Sequence, residues 1–102
     1  MKWIDAGPAA DLGEGHSISV AVGRRMVAVV RSEGEVFAIE DVCTHDGAEL
    51  TGGEIEAGEI VCPRHGARFC LRTGQALTPP AYEPVRVFAT KIEAGRLWVR
   101  AD

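Results

Sequence analysis

The chain has 102 residues, 46% of them hydrophobic, which suits one domain with a modest core, and we predict a single domain over residues 1–102. Its net charge of −4 argues against a nucleic-acid-binding surface, because such surfaces cluster Lys and Arg. No apolar run is long enough to cross a bilayer, and the first 15 residues lack the apolar stretch of a signal peptide, so we expect a soluble cytoplasmic protein without membrane contacts.

The first 40 residues have the pattern of β-strands joined by tight turns. Ala9–Leu12 is the only helical signal, and it is one turn long. Residues 16–22 alternate apolar with small or polar side chains, which is the period of a strand. Residues 26–31 are a continuous apolar run, typical of a strand buried on both faces. Residues 32–35 then predict a hairpin turn into a strand over 36–39.

The last 45 residues continue this pattern. A short strand is predicted over 59–61, and extended segments over 85–92 and 96–100 flank a Glu-Ala-Gly turn. Three prolines interrupt residues 75–84 and prevent regular ladder pairing, so this segment is predicted to be a surface loop. Many short strands with Gly and Pro turns indicate an all-β fold, an antiparallel sandwich or barrel.

Two cysteines and two histidines fall within 23 positions, although the chain has only three residues of each type. They are paired as Cys43-x-His45 and Cys62-x-x-His65, and each pair lies in a loop after a predicted strand. Thiolate and imidazole ligands suit zinc, iron or copper better than calcium or magnesium. A catalytic thiol would not account for the second Cys/His pair, so a metal centre is the stronger hypothesis.

The mixed order within each pair separates two kinds of metal centre. A structural Cys₂His₂ zinc site usually takes both cysteines from one element and both histidines from a helix. Here each loop carries one Cys and one His, so two loops can each supply one ligand to each of two irons. That is the ligand set of a Rieske [2Fe–2S] centre, in which two histidines replace two cysteines on one iron. A zinc-stabilised interaction module remains the alternative.

The two boxes, CTHDG over 43–47 and CPRHG over 62–66, resemble the ligand boxes of Rieske proteins, as does the spacer of sixteen residues. The resemblance extends through residues 69–74 to the Pro79-Pro80 loop and covers nearly the whole chain, as in a free-standing Rieske ferredoxin. It implies a Rieske-type fold with a smaller cluster-binding subdomain, about residues 41–74, formed by two ligand loops. It also implies one [2Fe–2S] cluster, exposed histidine edges and a covering proline loop. The implied ligands are Cys43, His45, Cys62 and His65.

Four positions differ from the Rieske proteins of respiratory and photosynthetic complexes. Those proteins have an extra cysteine in each box, joined as a disulfide, where this chain has Ala48 and Arg64. They also donate Ser and Tyr hydroxyl hydrogen bonds to the cluster, at positions occupied here by Ala67 and Phe69. Because hydrogen bonds to the sulfurs set the reduction potential, we expect a low potential, toward about −150 mV. Cys70 is expected to be a small, partly buried strand residue.

The resemblance implies an electron-transfer ferredoxin rather than an enzyme. Such a protein would carry one electron from a flavin- and NAD(P)H-dependent reductase to a terminal non-haem iron oxygenase of the aromatic-ring dioxygenase type. We expect a monomer that docks transiently on these partners. The sequence has no Rossmann glycine motif and no flavin site, so it would not transfer hydride alone. The alternatives are the small Rieske-like subunit of a cytoplasmic nitrite reductase and an accessory ferredoxin for iron–sulfur assembly.

Overall fold

The structure is a computed structural model that describes residues 2–44 and 47–101. Within these residues the only helical element is a 3₁₀ turn over Ala9–Asp11, as the sequence predicts, and the rest is strands and loops. The prediction of an all-β chain is confirmed. The strands are β1 (Lys2–Pro8), β2 (Ser17–Val22), β3 (Arg25–Ser32), β4 (Glu35–Glu40), β5 (Ile55–Glu56), β6 (Glu59–Val61), β7 (Arg68–Cys70), β8 (Val87–Phe88), β9 (Thr90–Glu93) and β10 (Arg96–Ala101).

The strands form three antiparallel sheets, with the orders β1-β10-β9, β2-β3-β4-β8 and β5-β6-β7. Three of the hairpins have the same type of turn, Glu33–Gly34, Ala57–Gly58 and Ala94–Gly95, with positive φ at both residues. Two-residue turns of this kind match the right-handed twist of the paired strands, and glycine adopts positive φ without strain. These turns therefore explain why short neighbouring segments pair in antiparallel fashion.

Strand β3 is buried on both faces, as its apolar run predicts. Val27 and Val29 point into a core shared with β10, on the side of the first sheet. Ala28 and Val30 point the other way, into a core shared with the β5-β6-β7 sheet and the ligand-loop cysteines. Successive side chains of a strand point to opposite faces, so β3 lies between the two cores and contributes side chains to both. The four-stranded sheet is thus the middle layer of the molecule.

The predicted single strand over 85–92 is wrong. Val87–Phe88 pairs with β4, whereas Thr90–Glu93 pairs with β10 in another sheet. The Thr90 hydroxyl donates a hydrogen bond to the Val36 carbonyl, 2.9 Å away, at the point where the chain crosses between the sheets. The apolar pattern continues through both strands, so it carries no signal of the break.

Three strands, the seven-residue β1 and the short β5 and β7, have no counterpart in the sequence prediction. Strand β1 pairs with β10 at the other end of the chain, and its register shifts between Asp5 and Gly7. This irregularity interrupts the two-residue period on which the prediction of strands depends. In the described residues no helix is long and apolar enough to cross a membrane.

Candidate metal centre

The first ligand loop is a tight turn closed by two backbone hydrogen bonds. The Cys43 amide donates to the Ala48 carbonyl, and the Gly47 amide donates to the Cys43 carbonyl, each over 2.7 Å. Gly47 has φ of +79°, a conformation that a residue with a Cβ rarely adopts. His45 and Asp46 lie outside the described residues, so the ligand role of His45 stays a prediction.

The second ligand loop has the same pair of hydrogen bonds. The Cys62 amide donates to the Ala67 carbonyl over 2.7 Å, and the Gly66 amide donates to the Cys62 carbonyl over 3.0 Å. Gly66 has φ of +76°. Both predicted ligand cysteines therefore begin a turn that ends at a glycine four residues later. In the sequence His65 follows its cysteine by three positions, whereas His45 follows its cysteine by two.

The two thiols and the described imidazole differ in exposure. Cys43 is 0% exposed and Cys62 is 1% exposed, and both belong to one hydrophobic cluster. His65 lies at the surface. The fully buried side chain of Phe69 belongs to the same cluster as the two cysteines. The loops thus place two thiols in the interior and one imidazole at the surface.

Gly53 allows the end of the first ligand loop to lie against the strand that enters the second. Its amide donates to the Leu50 carbonyl over 3.0 Å, and the next residue, Glu54, accepts a 2.9 Å bond from the Val61 amide. A Cβ on Gly53 would lie 2.0 Å from the Val61 carbonyl oxygen, which is an impossible contact. Val61 directly precedes Cys62, so this close approach fixes the position of the second loop relative to the first.

The proline-containing segment 75–84 is a loop, as predicted, and it is bonded to residues next to both ligand loops. The Thr44 hydroxyl donates to the Glu83 carbonyl over 2.7 Å, beside the first cysteine. The Arg68 amide, at the start of β7, donates to the Thr78 hydroxyl over 3.0 Å. The loop therefore bridges the first ligand loop and the strand that leaves the second.

Asp41 is a buried carboxylate near the site that the sequence predictions missed. It is 5% exposed, and its two oxygens accept four hydrogen bonds of 2.7–2.9 Å, from the Leu50 and Thr51 amides and from the Thr51 and Ser19 hydroxyls. Burial would raise the pKa of Asp41, but the bonds from Thr51, Ser19 and Leu50 hold that pKa below its ordinary value. The one available signal was an Asp directly after a strand and two positions before a ligand box.

Cys70 begins a third turn of the same kind. Its amide donates to the Gln75 carbonyl over 2.9 Å, and the Gly74 amide donates back to the Cys70 carbonyl over 2.7 Å. The Thr73 hydroxyl hydrogen-bonds the thiol and lowers the pKa of Cys70; burial opposes this effect, and the Thr73 and Arg72 amides add to it. Cys70 is partly buried at the end of β7, as predicted. Turn geometry alone therefore does not mark a ligand.

The donor atoms of the described site suit an iron–sulfur cluster. Among residues 2–44 and 47–101, no group of three or more His, Cys, Asp or Glu side chains is arranged to hold a single metal ion. A Rieske cluster does not need such a group, because each of its irons takes only two protein ligands. Two buried thiols and a surface imidazole, on two turns of the same geometry, fit that ligand set.

The comparison with protein families decides between the kinds of metal centre. The profile of the Rieske [2Fe-2S] domain matches residues 2–89. The chain belongs to the Rieske [2Fe-2S] family. The ferredoxin component of the naphthalene 1,2-dioxygenase/salicylate 5-hydroxylase systems of Ralstonia sp. is 36% identical over 102 residues, which are 100% of this chain and 98% of the relative.

Solved structures agree with this assignment. The ferredoxin of carbazole 1,9a-dioxygenase from Nocardioides aromaticivorans IC177 superposes with a TM-score of 0.94 at 30% identity, over 100% of both chains. A chain from a complex of reduced oxygenase and oxidized ferredoxin in carbazole 1,9a-dioxygenase superposes with a TM-score of 0.92 at 33% identity, covering 98% of this chain and 94% of that one. The Rieske-type fold and the single Rieske-type cluster are confirmed, and the chain is an electron-transfer ferredoxin rather than a catalytic subunit.

Proposed function

We propose that this ferredoxin carries single electrons from a flavin-dependent, NAD(P)H-oxidising reductase to a terminal non-haem iron oxygenase of the aromatic-ring dioxygenase type. The observation that carries the proposal is the likeness to ferredoxin components of dioxygenase systems, over at least 98% of each protein. The structure of a related ferredoxin with its oxygenase supports the oxygenase as one partner. An NAD(P)H-dependent partner would place this exchange in the cytoplasm.

The ligands in this proposal are Cys43, His45, Cys62 and His65. When bound, a Rieske cluster takes up and releases one electron at a time. The burial of the two cysteines keeps water from their sulfurs. Exposure of His65 would give a docked partner a short path to the metal centre. Cys43 and Cys62 would thus hold the cluster from the protein interior, and His65 would hold it at the surface, where a partner can dock.

We further propose that residues 1–102 act as one domain and one monomer, with the cluster-binding subdomain over about 41–74. The support is the position of β3 between the two cores, since Val29 and Val30 of the same strand pack into different ones. A boundary between two independent domains would have to divide this strand. A monomer leaves the surface around His65 available for successive docking on two partners.

The reduction potential should be low, toward about −150 mV. Ala67 and Phe69 are completely buried in the same hydrophobic core as Cys62, and neither side chain has a hydroxyl that could donate a hydrogen bond to a sulfur. Without such donors the extra negative charge of the reduced state is less stabilised. Redox titration of the purified protein tests this expectation, and a value above about +100 mV, in the upper part of the Rieske range, contradicts it.

The function is tested by reconstitution. We expect the purified protein to contain about two irons and two acid-labile sulfides per chain, the composition of a [2Fe–2S] cluster. Mixed with a flavin reductase, NADH and the terminal component of an aromatic-ring dioxygenase, it should support substrate oxidation in proportion to its concentration. A protein that holds zinc without sulfide would refute the cluster. A loaded protein that accepts electrons but supports no dioxygenase tested would favour the nitrite reductase or iron–sulfur assembly alternative.

A further inference from the structure

We propose that Asp41 is a positioning residue for the iron–sulfur cluster. Its buried carboxylate joins residue 41 to residues 50 and 51, which together form the neck of the first ligand loop, and holds a fixed negative charge that lowers the reduction potential. The inference rests on the proposed function, since it takes Cys43 as a ligand. Asp41 lies outside the two Cys/His boxes. Its effect would act through the loop and through its electric field.

The carboxylate joins the two ends of the first ligand loop. Asp41 lies two positions before Cys43, at the start of the loop, and its Oδ1 accepts the Leu50 and Thr51 amides at the end of the loop, over 2.7 and 2.9 Å. Its Oδ2 accepts the Thr51 hydroxyl over 2.7 Å. Both oxygens are thus used to hold residue 41 against residues 50 and 51, which makes the intervening turn a closed loop.

The closed neck is also attached to the middle sheet. Oδ2 accepts the hydroxyl of Ser19 on β2 over 2.8 Å, and the Asp41 amide donates to the Met26 carbonyl on β3 over 2.9 Å. Leu50 is fully buried in the same hydrophobic core as Cys43 and Cys62. Movement of residues 41, 50 and 51 would therefore move Leu50 within that hydrophobic core and shift Cys43 relative to Cys62.

The charge of the carboxylate acts on electron uptake. The four donors to Asp41 are neutral amides and hydroxyls, and 5% exposure leaves little water to screen the anion. Consecutive Cα atoms are about 3.8 Å apart, so the Cα atoms of Asp41 and Cys43 lie within about 7.6 Å of each other. A fixed negative charge near a group that gains an electron disfavours the reduced state. Glu49, in the same loop, is exposed, and solvent screens its charge.

The main experiment compares Asp41→Asn with Glu49→Gln, both prepared as holoprotein. The Asn oxygen can still accept the two amides, and its NH₂ can donate to the two hydroxyls, so the loop can remain closed while the charge is removed. We expect Asp41→Asn to keep the Rieske absorption spectrum and to titrate at a higher potential than the parent, whereas Glu49→Gln titrates with the parent. A potential of Asp41→Asn equal to that of the parent overturns the proposal.

A second pair of variants decides the case if Asp41→Asn does not hold a cluster. Thr51→Val removes one donor to the carboxylate while preserving side-chain shape, and Thr51→Ser retains the hydroxyl. Release of iron to a chelator should be several-fold faster in Thr51→Val than in the parent, and unchanged in Thr51→Ser. Equal release rates in Thr51→Val and the parent contradict the closing role of Asp41.

These outcomes are separate from those that test the proposed function. The proposed function fails if the parent protein lacks the Rieske spectrum or delivers no electrons to an oxygenase. The proposed role of Asp41 fails in a different way. In that case the parent protein has the Rieske spectrum, but the reduction potentials or the iron-release rates of the variants equal those of the parent.

Discussion

Cys62 and Cys70 begin turns with the same backbone hydrogen bonds, but their thiols have different surroundings. Cys62 is 1% exposed and shares a hydrophobic cluster with Cys43, whereas Cys70 is partly exposed at the end of β7. Hydrogen bonds from the Thr73 hydroxyl and nearby amides stabilise the Cys70 thiolate and lower the pKa of Cys70. These bonds account for the lowered pKa without a metal ion. At the scale of single residues, the environment of the sulfur separates a proposed ligand from a structural cysteine.

This difference makes a direct prediction. Cys62→Ala should lose the Rieske absorption spectrum and most of the bound iron, because one iron would lack a thiolate. Cys70→Ala is the matched control, since it changes the same residue type in the same kind of turn, and it should keep both. Absorption spectroscopy and iron analysis of the two variants measure the effect. Loss of the cluster in Cys70→Ala, or its retention in Cys62→Ala, would contradict the ligand assignment.

Elements are brought together here by close backbone contacts as well as by side chains. The β5-β6-β7 sheet supplies the strands on both sides of the second ligand loop, and Gly53 is where the end of the first loop meets it. Gly74 makes a comparable approach, since a Cβ there would lie 2.2 Å from the Val85 carbonyl oxygen. These two contacts hold the ligand loops and the proline-containing loop to the sheets.

Gly53→Ala should therefore weaken cluster binding. The added methyl has no space beside the Val61 carbonyl, and overpacking of this kind costs about 1–3 kcal/mol of unfolding free energy. The displaced strand end leads into Cys62, so iron should also be lost more readily to a chelator. Gly13→Ala is the control, because its Cβ would lie no closer than 3.6 Å to His16. Similar unfolding midpoints and iron-release rates in the two variants would show that the close contact between Gly53 and the Val61 carbonyl does not affect stability or cluster binding.

Residues 2–44 and 47–101 form two cores on opposite faces of the middle sheet. One contains Val27 and Val29 with Leu97 and Val99, and it has no cysteine. The other contains Cys43 and Cys62 among its buried residues. A bound metal should therefore stabilise the second core directly and the first only through the shared strands.

Removal of the iron tests this arrangement. Because a ligand that binds only the folded state adds to its stability, the apoprotein should unfold at a lower temperature than the holoprotein. Amide exchange should quicken most in β5–β7 and least in β10, whose Leu97 and Val99 belong to the core without the two ligand-loop cysteines. As a control, Val29→Ala should lower the unfolding free energy by about 2 kcal/mol while leaving the Rieske spectrum unchanged. Uniform acceleration of exchange across all strands would contradict the separate contribution of the two cores.

Local patterns were sufficient for several elements. The run over 26–31 predicted a strand buried on both faces, and β3 confirms it. The alternation over 16–22 predicted strand β2, and the turn over 32–35 predicted the hairpin of β3 and β4. The proline-containing loop over 75–84 was also predicted. Each of these depends on side-chain period or on the restricted backbone of proline, which are properties of the local chain.

The sequence by itself determined the all-β class, the Rieske family and the candidate cysteines, because residue type and spacing carry that information. Only the tertiary structure divided the segment 85–92 between two sheets, buried Cys43 and Cys62 in one core, and placed the Asp41 carboxylate against residues 50 and 51 of the first loop. These features join residues that are distant along the chain or face different sheets. They depend on which surfaces pack together, and no local pattern encodes that choice.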